Sequence, residues 1–317
     1  MPKYVIRRLV QMVPVFISIT VITFLMITLA PGDPVATMYP PEVLNRIDQD
    51  LLREQLGLND PLPVQYAKMM KRFFSGELES FQERRPVLDL IADRLFPTFL
   101  FATLSLICAL LIGLPVAMLS ATRPYSWWDN FSSISVLAGL SVPQFWIALI
   151  FILIFSERMR LLPSSGIRPI NATGYNPIEM FPYLILPTIV LTIGLLPSIT
   201  RYSRSSMIEV LSQDYIRTAH SKGLKTRHVM IRHALRNAIL PVVTLIGAIF
   251  PLLLGGAVLV ETIFGIPGIG RLAVRSALVR DLPVILSLNI FVAVIVLISN
   301  LITDIVYTYL DPRIRLG

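Results

Sequence analysis

The chain has 317 residues, 54% hydrophobic and 15% charged, and its mean hydropathy is +0.69. Soluble domains carry about 25% charged residues and disordered chains pair low hydrophobicity with high net charge, so both classes are poor fits and a multi-span membrane protein fits. The single cysteine, Cys108, excludes an internal disulfide or a cysteine-based zinc ribbon, and the formal charge of +8 matters only through where the basic residues lie.

A bilayer core takes roughly 20 mainly apolar residues per helix. Six stretches qualify: 9–30, 96–120, 131–155, 183–199, 239–260 and 283–309, of which the fourth is short. Asp304 is the only Asp, Glu, Lys or Arg in all six, as expected where an ionised side chain is costly to bury. The expected fold is therefore all-α, a polytopic membrane protein with six transmembrane helices and both termini on one side. That side carries 14 Lys or Arg, against 6 in 156–182 and 261–282. The segment 31–95 is too long to weigh in the count, so the side with both termini reads as cytoplasmic.

Lys3, Arg7 and Arg8 precede the first apolar run as they would in a secretory signal. Twenty-two apolar residues are too many for a signal core, and Ala30-Pro31-Gly32-Asp33-Pro34 is a poor cleavage context. The run is expected to stay as an anchor, making 1–30 the N-terminal end and first span. Pro31-Gly32-Asp33-Pro34 should stop that helix.

The next 65 residues, 31–95, hold 8 basic and 11 acidic residues, which excludes a nucleic-acid arm. Helical patterns at Glu42 to Leu56 and Val64 to Phe74, separated by Gly57, Pro61 and Pro63, read as a small folded extracytoplasmic insertion. The remaining 96–317 form a five-helix core. Prolines recur in or beside the spans at positions 14, 97, 115, 143, 187, 197, 241 and 251. They read as kinks, or as hinges lining a gated path. No internal repeat is visible, unlike the inverted repeats of secondary transporters.

The loop 200–238 is the most informative segment, with eight Lys or Arg, two acids and all three histidines. Ser205 and Ser206 offer an N-cap, Ile208, Leu211, Tyr215 and Ala219 recur at helical spacing, and Gly223 is placed to stop the helix. A second helix is expected from Thr226, with Ile231, Leu235 and Ala238 on one face and His228, Arg232 and Arg236 on the other. Two short amphipathic helices below a bilayer suit the lipid surface or a groove on a soluble partner. The residues alone leave both readings open.

The run Asp214-Tyr215-Ile216-Arg217-Thr218-Ala219-His220-Ser221-Lys222-Gly223, then Arg232-His233-Ala234-Leu235-Arg236-Asn237-Ala238-Ile239-Leu240-Pro241, resembles the coupling loop of ABC importer permeases, the binding-protein-dependent inner-membrane components. More narrowly it resembles the peptide and nickel branch, the oligopeptide and dipeptide permeases. Similar stretches are Tyr4 to Leu9, Pro31 to Pro34, Leu56 to Tyr66, Ser141 to Trp146, Glu261 to Arg271 and Leu310 to Arg315, so the likeness runs nearly end to end.

In the wider superfamily the loop reads Glu-Ala-Ala, three residues, Gly. Here Arg217, Thr218 and Ala219 stand at the first three places, so no salt bridge through that glutamate carries over. The resemblance implies the type I ABC importer permease fold, with Asp214, Tyr215, Arg217, Thr218, Ala219, Lys222 and Gly223 coupling to an ATPase. It also implies a second related permease, two ATP-binding subunits that hold ATP and Mg, and an extracytoplasmic binding protein in a prokaryotic cell membrane. The implied cargo is di- or oligopeptides, with nickel chelates, glutathione or oligosaccharides as alternatives; an ion-driven transporter or channel is the more distant reading.

Several motifs carry nothing. Gly223-Leu224-Lys225-Thr226 lacks the earlier glycine of a phosphate loop, and Gly265 to Gly270 lacks the strand and acid of a dinucleotide site. The latter reads as a turn-rich loop. The spacing of His220, His228 and His233 fits no zinc pattern. No cofactor or catalytic site is expected in this chain. Asn300 and Asp304, one turn apart in the last span, read as a polar path or gate, or as a helix-end carboxylate bonded to a neighbouring span.

Overall fold

The computed structural model describes residues 2–29, 35, 42, 48–169, 171, 172, 174, 176–255 and 257–310. The expected stop at 31–34 and the terminal motif from Asp311 lie outside these residues, as does most of 36–47. The described residues are dominated by helices. They are α1 (Pro2–Thr28), α2 (Gln49–Leu56), α3 (Leu62–Phe74), α4 (Val87–Thr122), α5 (Trp127–Ser141) and α6 (Gln144–Phe151), which runs on as π-helical Ile152–Arg158. Then come α7 (Pro177–Leu211), α8 (Asp214–Ser221) and three contiguous pieces labelled together α9: Thr226–His228, π-helical Val229–Ala234 and Leu235–Ala238. Last are α10 (Leu240–Leu254), α11 (Val258–Ile263), α12 (Ile269–Leu278) and α13 (Leu282–Leu310).

Five helical stretches among the described residues are long and apolar enough to cross a membrane: Val10–Thr28, Val87–Thr122, Pro177–Leu211, Leu240–Ile263 and Leu282–Tyr307. The expected third span, 131–155, is helical in two pieces. Val142 is extended (φ −94°, ψ 125°) ahead of Pro143, because proline clashes with a helical residue before it. The third expected span is thus broken into two shorter helices. The expected short fourth span belongs to a 35-residue helix, about 52 Å long at 1.5 Å per residue.

The chain forms two compact units. One comprises residues 1–96 and 267–297. In it Phe24 of α1 meets Leu286 and Ile290 of α13, with Tyr66, Met69 and Phe73 of α3 packed alongside. The Tyr66 hydroxyl shares a 2.8 Å hydrogen bond with Thr20. Gly57 takes the left-handed conformation (φ 71°) that ends α2. Buried Asp281, just before α13, accepts hydrogen bonds from the Ser80 hydroxyl and from the Phe81 and Gln82 amides, fixing the turn that leads into α4.

The other unit comprises 97–266 and 298–317. Its core is built from Phe101, Leu106 and Ala109 of α4, Ala148 of α6, Leu184, Val190 and Ile199 of α7, Leu253 of α10 and Phe264. Small polar residues bind these helices together, as hydroxyls do inside bilayers. Ser105 Oγ of α4 donates to the Thr188 carbonyl of α7 at 3.3 Å, and Thr192 Oγ1 of α7 donates to the Ser105 carbonyl at 3.2 Å. Glu261, fully buried, accepts from Thr98 Oγ1 at 2.7 Å. Gly265 (φ 60°) sits in the expected turn region, but Ile269–Leu278 behind it is a helix with one buried side, not loop.

Candidate functional site

The segment 200–238 folds differently from the expected pair of short helices. Ser205 and Ser206 cap nothing; they sit inside α7, and Ser206 is buried. No Gly or Pro falls between Pro197 and Leu211, and Met207, Ile208 and Leu211 extend the helix's apolar side, so the helix continues. It breaks at Ser212 and Gln213, and α8 starts at Asp214.

A second hydrophobic cluster fixes α8. Ile216 and Ala219 are buried with Met207 of α7, Val229, Met230, Ala234 and Ala238 of α9, and Ala121 of α4. Asn237 Nδ2 donates to the Tyr215 hydroxyl at 2.8 Å. Of the expected apolar face of the second helix, Ala238 is buried and Leu235 packs beside it, but Ile231 is exposed, and Val229, Met230 and Ala234 face inward in its stead. Wider π-helical turns from Val229 shift the register away from a 3.6-residue repeat.

The candidate residues therefore divide. Ala219 packs against its own chain. Asp214, Tyr215, Arg217, Thr218, Lys222 and Gly223 are exposed, with Arg217 retaining 74% of its side-chain exposure beside Asp214 at 3.5 Å. Gly223 adopts φ 77° in open space, and its amide donates to the His220 carbonyl at 2.9 Å. Behind α8, Lys225, Arg227, His228, Ile231 and Arg232 line an open cleft of about 470 Å³. Among the described residues, no group of three or more His, Cys, Asp or Glu could hold a metal ion.

Asn300 is exposed and Asp304 half-buried on α13. The structure does not bring either to the α8 surface.

An ion pair that the sequence reading missed supports the surface. Asp129, in the first turn of α5 ahead of the third apolar run, is 3% exposed, and Arg204 of α7 is 26% exposed. Arg204 Nε and Nη2 donate to the two Asp129 carboxylate oxygens, each at 2.6 Å, and the Tyr125 amide adds a third bond at 2.8 Å. The Arg204 hydrogen bonds hold the Asp129 carboxyl below its ordinary 3.8, against the opposing effect of burial. Seventy-five residues separate the pair, so only the lone acid of the 121–130 segment hinted at it.

Asp129→Ala should cost about 3 kcal/mol, the low end for breaking a buried pair because Arg204 keeps some water. Thermal unfolding followed through the neighbouring Trp127 and Trp128 checks it. Because the folded carboxyl titrates lower than the unfolded one, the pair's contribution is present above the ordinary value of 3.8. It is lost as pH falls through the lower folded value. Between pH 5 and 8 the variant's deficit should be constant.

Known proteins resemble the chain over its whole length. Residues 113–316 match the family described as binding-protein-dependent transport system inner membrane component, and residues 1–106 match the N-terminal region of such membrane components. The oligopeptide transport system permease protein AppB of Bacillus subtilis (strain 168) is 42% identical over 317 residues, covering 99% of this chain and 100% of that protein. A putative peptide permease protein of Brucella suis biovar 1 (strain 1330) is 39% identical over 99% of each chain.

A solved structure titled as inward-facing conformations of the MetNI methionine ABC transporter aligns with TM-score 0.56 and 17% identity, covering 71% of this chain and 98% of that one. That match shows the type I permease fold. A membrane-embedded permease subunit of an ATP-binding-cassette importer accounts for the apolar helices and for the full-length likeness together. The chain belongs to the binding-protein-dependent transport system inner membrane component family.

Proposed function

We propose that this permease carries di- or oligopeptides across a bacterial cell membrane, forming the path with a second related permease and driven by two cytoplasmic ATP-binding subunits. Both termini and the 200–238 segment face those subunits, and an extracytoplasmic binding protein presents cargo to the opposite side. ATP and Mg reside in the partners. Peptide cargo rests on the names of relatives that are 42% and 39% identical across their full lengths.

Coupling rests on one observation: α8 is packed onto the end of an unbroken 35-residue helix. The exposed side of α8, with Tyr215, Arg217 and Lys222, docks on the ATPase. The buried side, Ile216 and Ala219, transmits the push, because a packed cluster moves with the helix it holds. Force on α8 thereby reaches the membrane through α7.

Cells lacking this chain should lose uptake of labelled di- and tripeptides and regain it when the chain is restored. Uptake of nickel chelates, glutathione and oligosaccharides should be the same in both strains. Loss of one of those, with peptide uptake intact, would reassign the cargo.

A further inference from the structure

The part of α13 that belongs to the second compact unit, from residue 298 onward, divides its surface three ways. One side packs on α10: Ser299 Oγ donates to the Gly247 carbonyl at 2.8 Å, and Thr303 stands against Gly247. A second side is apolar and open, with Ile298, Ile302 and Ile305 at 51%, 55% and 41% exposure. The third is polar: Asn300 is exposed, and Asp304 and Tyr307 are half-buried. At 3.6 residues per turn these three lie within about 60° of one another and about 100° or more from the isoleucines. Thr244 of α10 extends the polar side. It is exposed, and its hydroxyl meets the Tyr307 hydroxyl, which also donates to the Leu240 carbonyl at 3.2 Å.

Depth makes this partition informative. Asn300 stands about 14 Å inside the end of the apolar stretch at residue 309, at 1.5 Å per residue. That is close to the middle of a hydrocarbon core roughly 30 Å thick. Lipid tails offer an exposed amide no hydrogen bond, so polar groups at this depth face protein or water. The isoleucine side carries no such restriction.

We infer that the polar side of α13, from Asn300 to Tyr307 with Thr244 of α10, lines the water-filled route of the cargo, while the isoleucine side faces lipid. The Asn300 amide touches the passing peptide backbone. An Asn side chain presents a carbonyl acceptor and an NH₂ donor, the same pairing that a peptide bond offers, so the contact is indifferent to the peptide's side chains. The peptide contact rests on the cargo proposed above; the water-lined side does not.

Cysteine labelling of the assembled importer in membrane vesicles, with Cys108→Ala as the background, tests the route. Asn300→Cys should react with a charged methanethiosulfonate at least about tenfold faster than Ile298→Cys and Ile302→Cys, which flank it at nearly the same depth, because the reacting thiolate forms in water and not in hydrocarbon. Melting temperatures equal to that of the background identify the variants as folded. Equal rates on the two sides, or faster reaction at the isoleucine positions, would overturn the route. Labelling of Asn300→Cys in the isolated chain but not in the assembled importer, idle or hydrolysing ATP, would overturn it too, by assigning this side to the second permease. Asn300→Leu should lower peptide uptake about tenfold, the effect on rate of one lost hydrogen bond, and Asn300→Gln should recover part of it. Undiminished uptake by Asn300→Leu would overturn the peptide contact. A wild-type importer that moves no peptide while the labelling contrast holds would overturn the cargo reading alone.

Discussion

Replacing Gly247 with valine should remove most folded permease from the membrane. Gly247 lies in α10 against α13, where its carbonyl accepts a 2.8 Å hydrogen bond from Ser299 Oγ. A Cβ at this position would stand 2.1 Å from Thr303 Oγ1 and 3.2 Å from Thr303 Cβ. Thr303 is stiff, being β-branched, and its hydroxyl is held by the Ser299 carbonyl at 2.8 Å, so it has little room to turn away. Overpacking costs about 1–3 kcal/mol for small insertions, and valine adds two more carbons than alanine needs.

Gly247→Ala should fall within that range, and Thr303→Ala introduced beside it should restore part of the loss, since contacting positions couple. Melting temperature and membrane abundance of the single and double variants check both statements. A fully stable Gly247→Val protein would mean that the two helices do not approach so closely.

Arg217→Glu combined with Tyr215→Ala should cut uptake at least tenfold while the assembled ATPases still hydrolyse ATP and the protein melts normally. Both side chains face outward, and the Tyr215 hydroxyl holds only the exposed Asn237, so their removal disturbs docking more than folding. Ile216→Asp should behave in the opposite way. Ile216 is 2% exposed within the cluster that seats α8, and burying an unpaired carboxylate there should lower the melting temperature along with uptake. Measuring the ratio of uptake to ATP hydrolysis for both variants separates a failed docking surface from an unseated helix. Normal coupling in the Arg217→Glu, Tyr215→Ala protein would remove α8 from the mechanism.

The sequence made the spans legible because their signal is local: long apolar runs nearly free of charge, of which all but the third appear among the candidate spans. Gly223 was legible for a related reason, since the left-handed backbone it adopts at φ 77° favours glycine over other residues. Other features depended on partners distant in sequence. Ser205 and Ser206 offered a cap by residue type, but the buried cluster around Met207 carries the helix past them. Ile231 sat at the right spacing for a regular helix and was displaced by π-helical turns.

Pro143 reads from sequence as a kink or hinge within a span, whereas the extended Val142 before it separates two helices. The bonds from Asp129 to Arg204, from Thr98 to Glu261 and from Ser80 to Asp281 join residues 75, 163 and 201 positions apart. No periodicity reports such pairs. The proposed coupling residues were named through family resemblance, and the structure adds which of them face outward and which hold the helix in place.

Reconstitution in sealed vesicles tests the central claim most directly. The full chain alone, supplied with ATP, Mg and labelled peptide, should neither hydrolyse nucleotide nor accumulate peptide. With the second permease, both ATP-binding subunits and the binding protein added, peptide should accumulate and ATP should be consumed. Nucleotide hydrolysis by the isolated chain, or peptide accumulation driven by an ion gradient in the absence of the ATPases, would contradict the account.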